Sequence, residues 1–292
     1  METSTFTLDG AEITVATDVG PRILSIKRPG GVNLFAELPG VVIETDDGPF
    51  SFYGGHRLWR APEVAATTYL PDDDPVTVSS EEDSVTVVGP ADRDGVLKSI
   101  SIHAATDAVV VDHRLENVGW APVRCGPWAI TQFPPGGVAV LPQPTRLADP
   151  AGAQPNRRVV LWPYTDPGCP EIGWGAEYVT VTGSTSQTRT KLGQENRRGW
   201  LAHLRGGEVF VKWAAPHRDG AGYGDLGASA QVYRDGRFLE LETLGPVGEL
   251  APGHSYQHRE VWWIGEVDPA SDPVDAVIGL DLPTIHPALA GS

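Results

Sequence analysis

The chain has 292 residues, with 22 Lys+Arg against 38 Asp+Glu and a formal net charge of −16 at pH 7. That balance disfavours partners recognised through phosphates or an anionic membrane surface, so neither nucleic acid nor membrane is an expected partner. The 34 Gly and 26 Pro, about a fifth of the chain, call for many turns and few long helices, while 40% hydrophobic content with 9 Trp argues against disorder.

The periodicity is two almost throughout. In chain order, AEITVA (11–16), RILSIK (22–27), VVIET (41–45), VTVS (76–79), VTVV (85–88), LKSISIH (97–103) and AVVVDHRL (108–115) read as strands. VVLW (159–162), YVTVT (178–182), EVFVKW (208–213), FLELETL (238–244) and HREVWWI (258–264) follow. Each is short, rich in β-branched or aromatic residues, and bounded by turn formers such as Asp9-Gly10, Asp47-Gly48 and Asp235-Gly236. Residues 134–156 read as a long loop carrying a strand, VAVLP (138–142), and the best helix candidate is short, at 269–279. The fold class is therefore all-β, as one large double sheet or two successive β domains. No linker stands out, so one domain over 1–292 is expected.

The N-terminus METSTFTLDGAEITV lacks a basic stretch followed by an apolar one, and no stretch of about 18 apolar residues exists, so a cytoplasmic location is expected. Cys125 and Cys169 read as reduced structural thiols. The eight histidines, at 56, 103, 113, 203, 217, 254, 258 and 286, show no HxH or HExxH spacing. No phosphate loop, dinucleotide fingerprint or GxSxG elbow is present. No metal or cofactor is expected.

Three segments carry candidate chemistry. FYGGHRLWRAPE (52–63) crowds His56, Arg57, Trp59, Arg60 and the carboxylate of Glu63 around Gly54-Gly55. Aromatic faces and forked donors are what a sugar's C–H faces and hydroxyls need. In WAITQ (128–132), Trp128, Ile130 and Gln132 share one strand face, and a buried Gln needs a partner. In FLELETL, Phe238, Glu240, Glu242 and Leu244 share a face, and a buried carboxylate with a raised pKa can serve as general base. Lys191 and Lys212 stand near strand positions from which either could pair with those glutamates, and Tyr223 lies in a Gly-rich loop able to cover a cleft.

Several stretches resemble galactose mutarotase-like, or aldose 1-epimerase-like, domains. GPRILSIKRPGGVNLFAE (20–37) resembles their opening strand and turn, and GGHRLW (54–59) their Asn-Arg-Ile segment, with Arg57 in the arginine's place. VVVDHRLENVG (109–119) resembles their strand-plus-Asn element. FLELETLGPVGELAPGHSYQHREVWW (238–263) resembles their closing strands. The resemblance covers most of the chain and is strongest to a bacterial branch with GGH(R/K)LW and ELETLGP signatures. It implies a β-supersandwich with a concave sugar cleft. It also implies a late glutamate, Glu242 or Glu240, as base on the anomeric hydroxyl. The acid of an HxYF-like motif has no counterpart in WAITQF, which leaves His56 or a lysine for that role.

The expected function is thus a carbohydrate-active protein, an aldose epimerase working by acid–base proton transfer. Glu242, His56 and Lys212 are its expected catalytic residues. Arg57, Trp59, Trp128, Gln132, Lys191, Glu240 and Tyr223 are expected to bind substrate. The expected partner is a small-molecule sugar or glycosylated metabolite, and the expected state a monomer or homodimer. The alternatives are a non-catalytic carbohydrate-binding protein, and an epimerase or lyase acting next to a carbonyl.

Overall fold

The computed structural model describes residues 1–289. It consists of two ten-stranded antiparallel sheets packed face to face, a two-stranded hairpin, and very little helix. The first sheet runs Thr3–Leu8, Ala11–Ala16, Arg22–Lys27, His56–Ala61, Val123–Phe133, Leu239–Leu244, Ala230–Arg234, Thr190–Gln194 and Val159–Leu161, with Gly248–Leu250 also pairing to Val123–Phe133. In the second, the central strands are Trp200–Arg205, Glu208–Ala214, Ser255–Glu266 and Ala108–Asn117. The periodicity-two segments all form strands, and the helix near the C-terminus covers Pro273–Gly279, capped by Asp272. Among the described residues no helix is long and apolar enough to cross a membrane.

Between the sheets lies the main apolar core, to which Ile13, Ile23, Leu58, Phe133, Leu239 and Leu241 of the first sheet contribute against Ile100, Val111, Leu201, Phe210 and Trp262 of the second. Cys125 and Cys169 are buried free thiols. The opposite face of the first sheet is also covered. There the hairpin Glu37–Thr45 with Gly48–Gly54 lays Phe50 and Phe52 against Trp59, Trp128, Ile130 and Phe238. Both faces of the strands His56–Ala61, Val123–Phe133 and Leu239–Leu244 are consequently buried.

The hairpin passes directly into His56–Ala61 through Gly54 and Gly55, at φ +95° and +74°. A Cβ at Gly54 would stand 2.0 Å from the carbonyl oxygen of Ala36, and one at Gly55 2.1 Å from that of Ile23. Only glycine satisfies both the backbone angle and the approach. The long loop at 143–158 lies between the strands Val138–Pro142 and Val159–Leu161.

Candidate functional site

A cavity of about 350 Å³ opens on the face of the first sheet turned away from the second sheet. Strand alternation builds its floor. Arg57 and Trp59 project from His56–Ala61, Trp128 from Val123–Phe133, Glu240 from Leu239–Leu244, Tyr233 from Ala230–Arg234, and Lys191 from Thr190–Gln194. The register sets neighbours side by side: Trp59 opposite Trp128, Gln132 opposite Glu240, Glu240 opposite Tyr233, and Tyr233 opposite Lys191. The hairpin's Phe52 and Ile43 form one wall.

Two charge pairs underlie the floor. Glu240 Oε1 accepts from Arg57 Nη2 at 3.0 Å and from Gln132 Nε2 at 2.9 Å. Arg57 also lies over the Trp59 ring, 4.1 Å from its centroid. Glu242 Oε2 accepts from Lys191 Nζ at 3.0 Å and from the Trp128 indole at 2.7 Å. The Lys191 ammonium in turn sits over Trp128 and Trp162, at 4.7 and 4.9 Å. Glu240 and Glu242 share one face of a regular strand, but only Glu240 lines the cavity, at 6% exposure. Glu242, at 0%, lies beneath Trp128 and Lys191.

Burial raises both carboxyls. Glu240 is pushed up to about 7, with the Glu242 charge adding to the shift and Arg57 and Lys191 opposing it. Glu242 is raised by burial too, against Lys191 and Trp128. Burial also pushes the phenols of Tyr69, Tyr164 and Tyr233 up, so these hydroxyls remain proton donors around the cavity. The polar layer of this face is incomplete. Glu242 Oε1, Gln132 Oε1, Gln231 Oε1 and Arg57 Nε and Nη1 are buried without hydrogen-bond partners among the described residues.

Three expected site residues lie elsewhere. His56 precedes Arg57 in a regular strand, so its side chain points to the opposite face, into the core between the sheets. Lys212 comes from the second sheet and reaches the same interior cluster. Neither meets the cavity, which corrects the expectation that they flank the glutamates. Tyr223 also stands away from the cavity, stacked on His217 at 4.5 Å, because its loop packs against Val247 rather than over the floor. Gln132 supports Glu240 from below.

The interior cluster is fully connected. His113 Nδ1 lies 2.9 Å from the carbonyl of His258 and must carry the proton there, so His113 Nε2 accepts from His56 Nε2, 2.6 Å away. His56 Nδ1 then accepts from the Thr131 hydroxyl at 2.8 Å, and Thr131 accepts from Lys212 Nζ at 3.3 Å. Lys212 pairs with Glu260 at 2.8 Å, and Glu260 also accepts from Trp262 and Thr243. Burial lowers the pKa of His56 and His113, and brings His258 down to about 3, so the rings are neutral. Burial works to raise the Glu260 carboxyl, and the Lys212 ammonium overcomes it, holding the carboxylate far below its ordinary range. His56, His113 and Glu260 gather within 4.8 Å, a grouping able to hold a metal that the sequence spacing did not reveal. Lys212 already supplies the positive charge at that point.

Apart from Glu63, already part of the 52–63 segment, the rim adds residues that sequence reasoning did not single out for the site. Trp162 and Tyr164 follow the strand Val159–Leu161, Arg189 precedes Thr190–Gln194, and Asp235 and Arg237 flank the turn at Gly236. Glu63 and Tyr69, hydrogen-bonded at 2.6 Å, close the far side. The available signals were Trp162, which read as the end of the strand VVLW (159–162), and the charged pair around Asp235-Gly236, which read as a turn.

No protein-family model and no curated protein matches the chain. Solved structures do. A galactose mutarotase-like protein from Lactobacillus casei superposes with a TM-score of 0.59 at 10% identity, covering 90% of this chain and 100% of that one. A galactose mutarotase related enzyme from Lactobacillus acidophilus gives 0.52 at 9%, covering 91% and 100%. A TPR-domain containing protein from Parabacteroides distasonis gives 0.61 at 11%, covering 94% of this chain and 50% of that one. The fold is the galactose mutarotase-like β-supersandwich.

Proposed function

We propose that this galactose mutarotase-like chain binds a sugar in the cavity over its first sheet and interconverts its anomers. The observation that carries the reading is the cavity itself, in which Glu240, Arg57 and Lys191 stand together on an aromatic floor, on the face opposite the filled core. Trp59, Trp162 and Tyr164 offer ring faces to C–H surfaces, while Arg57, Arg189 and Asp235 offer the forked and acidic partners that hydroxyls need.

In this mechanism Glu240 is the general base. It is the carboxylate that reaches the cavity, and a pKa of about 7 suits a group that both takes and returns a proton at neutral pH. It takes the anomeric hydroxyl proton as the C1–ring oxygen bond breaks. Lys191, held by Glu242, donates to the ring oxygen. The aldehyde turns about C1–C2 and the ring recloses with the proton steps reversed. Arg57 fixes Glu240 and blocks its rotation. This assigns to Glu240 and Lys191 the roles that the sequence suggested for Glu242 and His56. A cytoplasmic sugar pool belongs to the same reading, with the two buried unpaired thiols in its support.

Proton NMR exchange between α and β anomers, over a panel of aldoses and uronic acids, tests it. Accelerated exchange for one sugar, abolished by Glu240→Gln, is the expected result. Line broadening without faster exchange would leave a binding protein, and neither effect for any sugar would overturn the reading.

A further inference from the structure

A second groove, of about 1030 Å³, shares no lining residue with the cavity described above. It lies among the 143–158 loop, the turn at 195–198 and the segment around His217. Five of the chain's 22 basic residues line it: Arg146, Arg157, Arg158, Arg197 and Arg198. Among the described residues that line the groove only two are acidic, Glu195 and Asp219, in a protein whose net charge is −16.

Those two carboxylates are already used. Arg197 forms a pair with Glu195 at 2.8 Å and with Asp219 at 2.6 Å, and Arg158 reaches Glu195 at 3.1 Å. Arg197 thus supplies the positive charge that the Glu195, His217 and Asp219 grouping would otherwise seek in a metal. Among the described residues, Arg146, Arg157 and Arg198 have no carboxylate partner. Arg157 gives only a long 3.4 Å bond to the carbonyl of Pro144, and Arg198 stacks on Tyr178 and Trp200. Two buried nitrogens of groove residues, Arg198 Nη1 and His217 Nδ1, have no hydrogen-bond partner among the described residues. Burial lowers the His217 pKa, so its ring is neutral and can donate or accept one hydrogen bond.

The arginine-bearing loop is shaped before any ligand arrives. Asp149 accepts from the backbone N–H of Gln154 at 2.7 Å and of Ala151 at 3.1 Å, Asn156 donates to the carbonyl of Arg146, and Gln143 ties the loop base to Gly175. Long loops without regular structure in a compact fold usually serve binding. Guanidinium groups are matched to phosphate geometry by their planar fork.

We infer that this groove is a binding site for a small phosphate-bearing anion, separate from the sugar cavity, with Arg146, Arg157 and Arg198 as the anion's charge partners and His217 Nδ1 as a hydrogen-bonding one. Clustered arginines overcome the repulsion that the chain's overall charge imposes, and screening of their local attraction makes the affinity fall with added salt.

Isothermal titration calorimetry with inorganic pyrophosphate at low ionic strength tests it, with inorganic phosphate and a single-stranded oligonucleotide as further arms. Saturable one-to-one binding of pyrophosphate is expected. Arg157→Gln and Arg198→Gln should each weaken it about tenfold, and added salt should weaken it further. Arg157 is exposed, so its variant keeps the fold, and a melting curve checks that of the Arg198 variant. Glu240→Gln should bind pyrophosphate unchanged, which separates this site from the sugar cavity. Absence of saturable binding, or binding equal in the arginine variants, would overturn the proposal. Tight binding of the oligonucleotide without binding of pyrophosphate would overturn it in favour of a macromolecular partner.

Discussion

The strands His56–Ala61, Val123–Phe133 and Leu239–Leu244 carry a charged cluster on each face, and the two clusters differ in how they are finished. Inside, His56, His113, His258, Thr131, Thr243, Lys212 and Glu260 satisfy one another, and none holds a buried orphan atom. Outside, Arg57, Gln132, Gln231 and Glu242 each retain one or more. Equal burial and similar chemistry therefore serve different ends. A closed network fixes how two sheets meet, and an open one leaves bonds for something that comes and goes.

The sharpest way to break that contrast is to remove one lysine from each side. Lys212→Met strands the Glu260 carboxylate in the core and should cost about 3–5 kcal/mol in urea denaturation. Lys191→Met should cost clearly less, because burial already biases Glu242 toward its protonated form. Equal losses would mean that the cleft pair is as structural as the core pair.

Glu240→Gln should reverse the balance between activity and stability. Anomeric exchange should fall by about 10²–10⁴, while the Tm at pH 8 stays level or rises. A fall in Tm at pH 8 would assign Glu240 to the scaffold.

The two sides also respond to pH with opposite sign. The folded pKa of Glu240, about 7, lies above its ordinary 4.5, so its contribution to stability is present below pH 4.5 and is lost as pH rises through 7. The Tm advantage of Glu240→Gln should open over that interval. His258 falls from 6.5 to about 3, so its contribution is present above pH 6.5 and is lost as pH falls toward 3. Correspondingly, the Tm penalty of His258→Gln should be full at pH 8 and shrink below pH 6.5. Melting curves of both variants against pH measure the two trends, and parallel trends would abolish the distinction. The smallest effect belongs to Trp128→Phe. Loss of the indole bond to Glu242 should cost about 1.5 kcal/mol in chemical denaturation. A neutral result would remove Trp128 from the charged layer.

Alternation made much of this legible from the residues alone. Trp128 with Gln132, and Glu240 with Glu242, do share a face because their strands are regular. The same rule, applied one residue further, separates His56 from Arg57. A resemblance centred on GGHRLW drew both toward one cleft. Lys212 could not be placed in that way, since alternation assigns a side chain to a face of its strand and says nothing of which sheet the strand joins. The rim was least legible. Trp162, Tyr164, Arg189 and Arg237 lie at or beyond strand ends, where no periodicity constrains them and only the folded chain brings them together.

The joint at Gly54-Gly55 acts on everything that follows it as a phase setting. It delivers the chain into His56–Ala61 with one alternation outward and the other inward, and both are chemically committed. Adding or deleting a single residue between the hairpin and His56 would turn Arg57 toward the core and His56 toward the cavity, spoiling two clusters with one change. Variation that retunes the site without losing the fold is therefore confined to rim segments such as 162–165 and 235–237. The two glycines form the hinge of an all-or-nothing choice, with no intermediate spacing open to them.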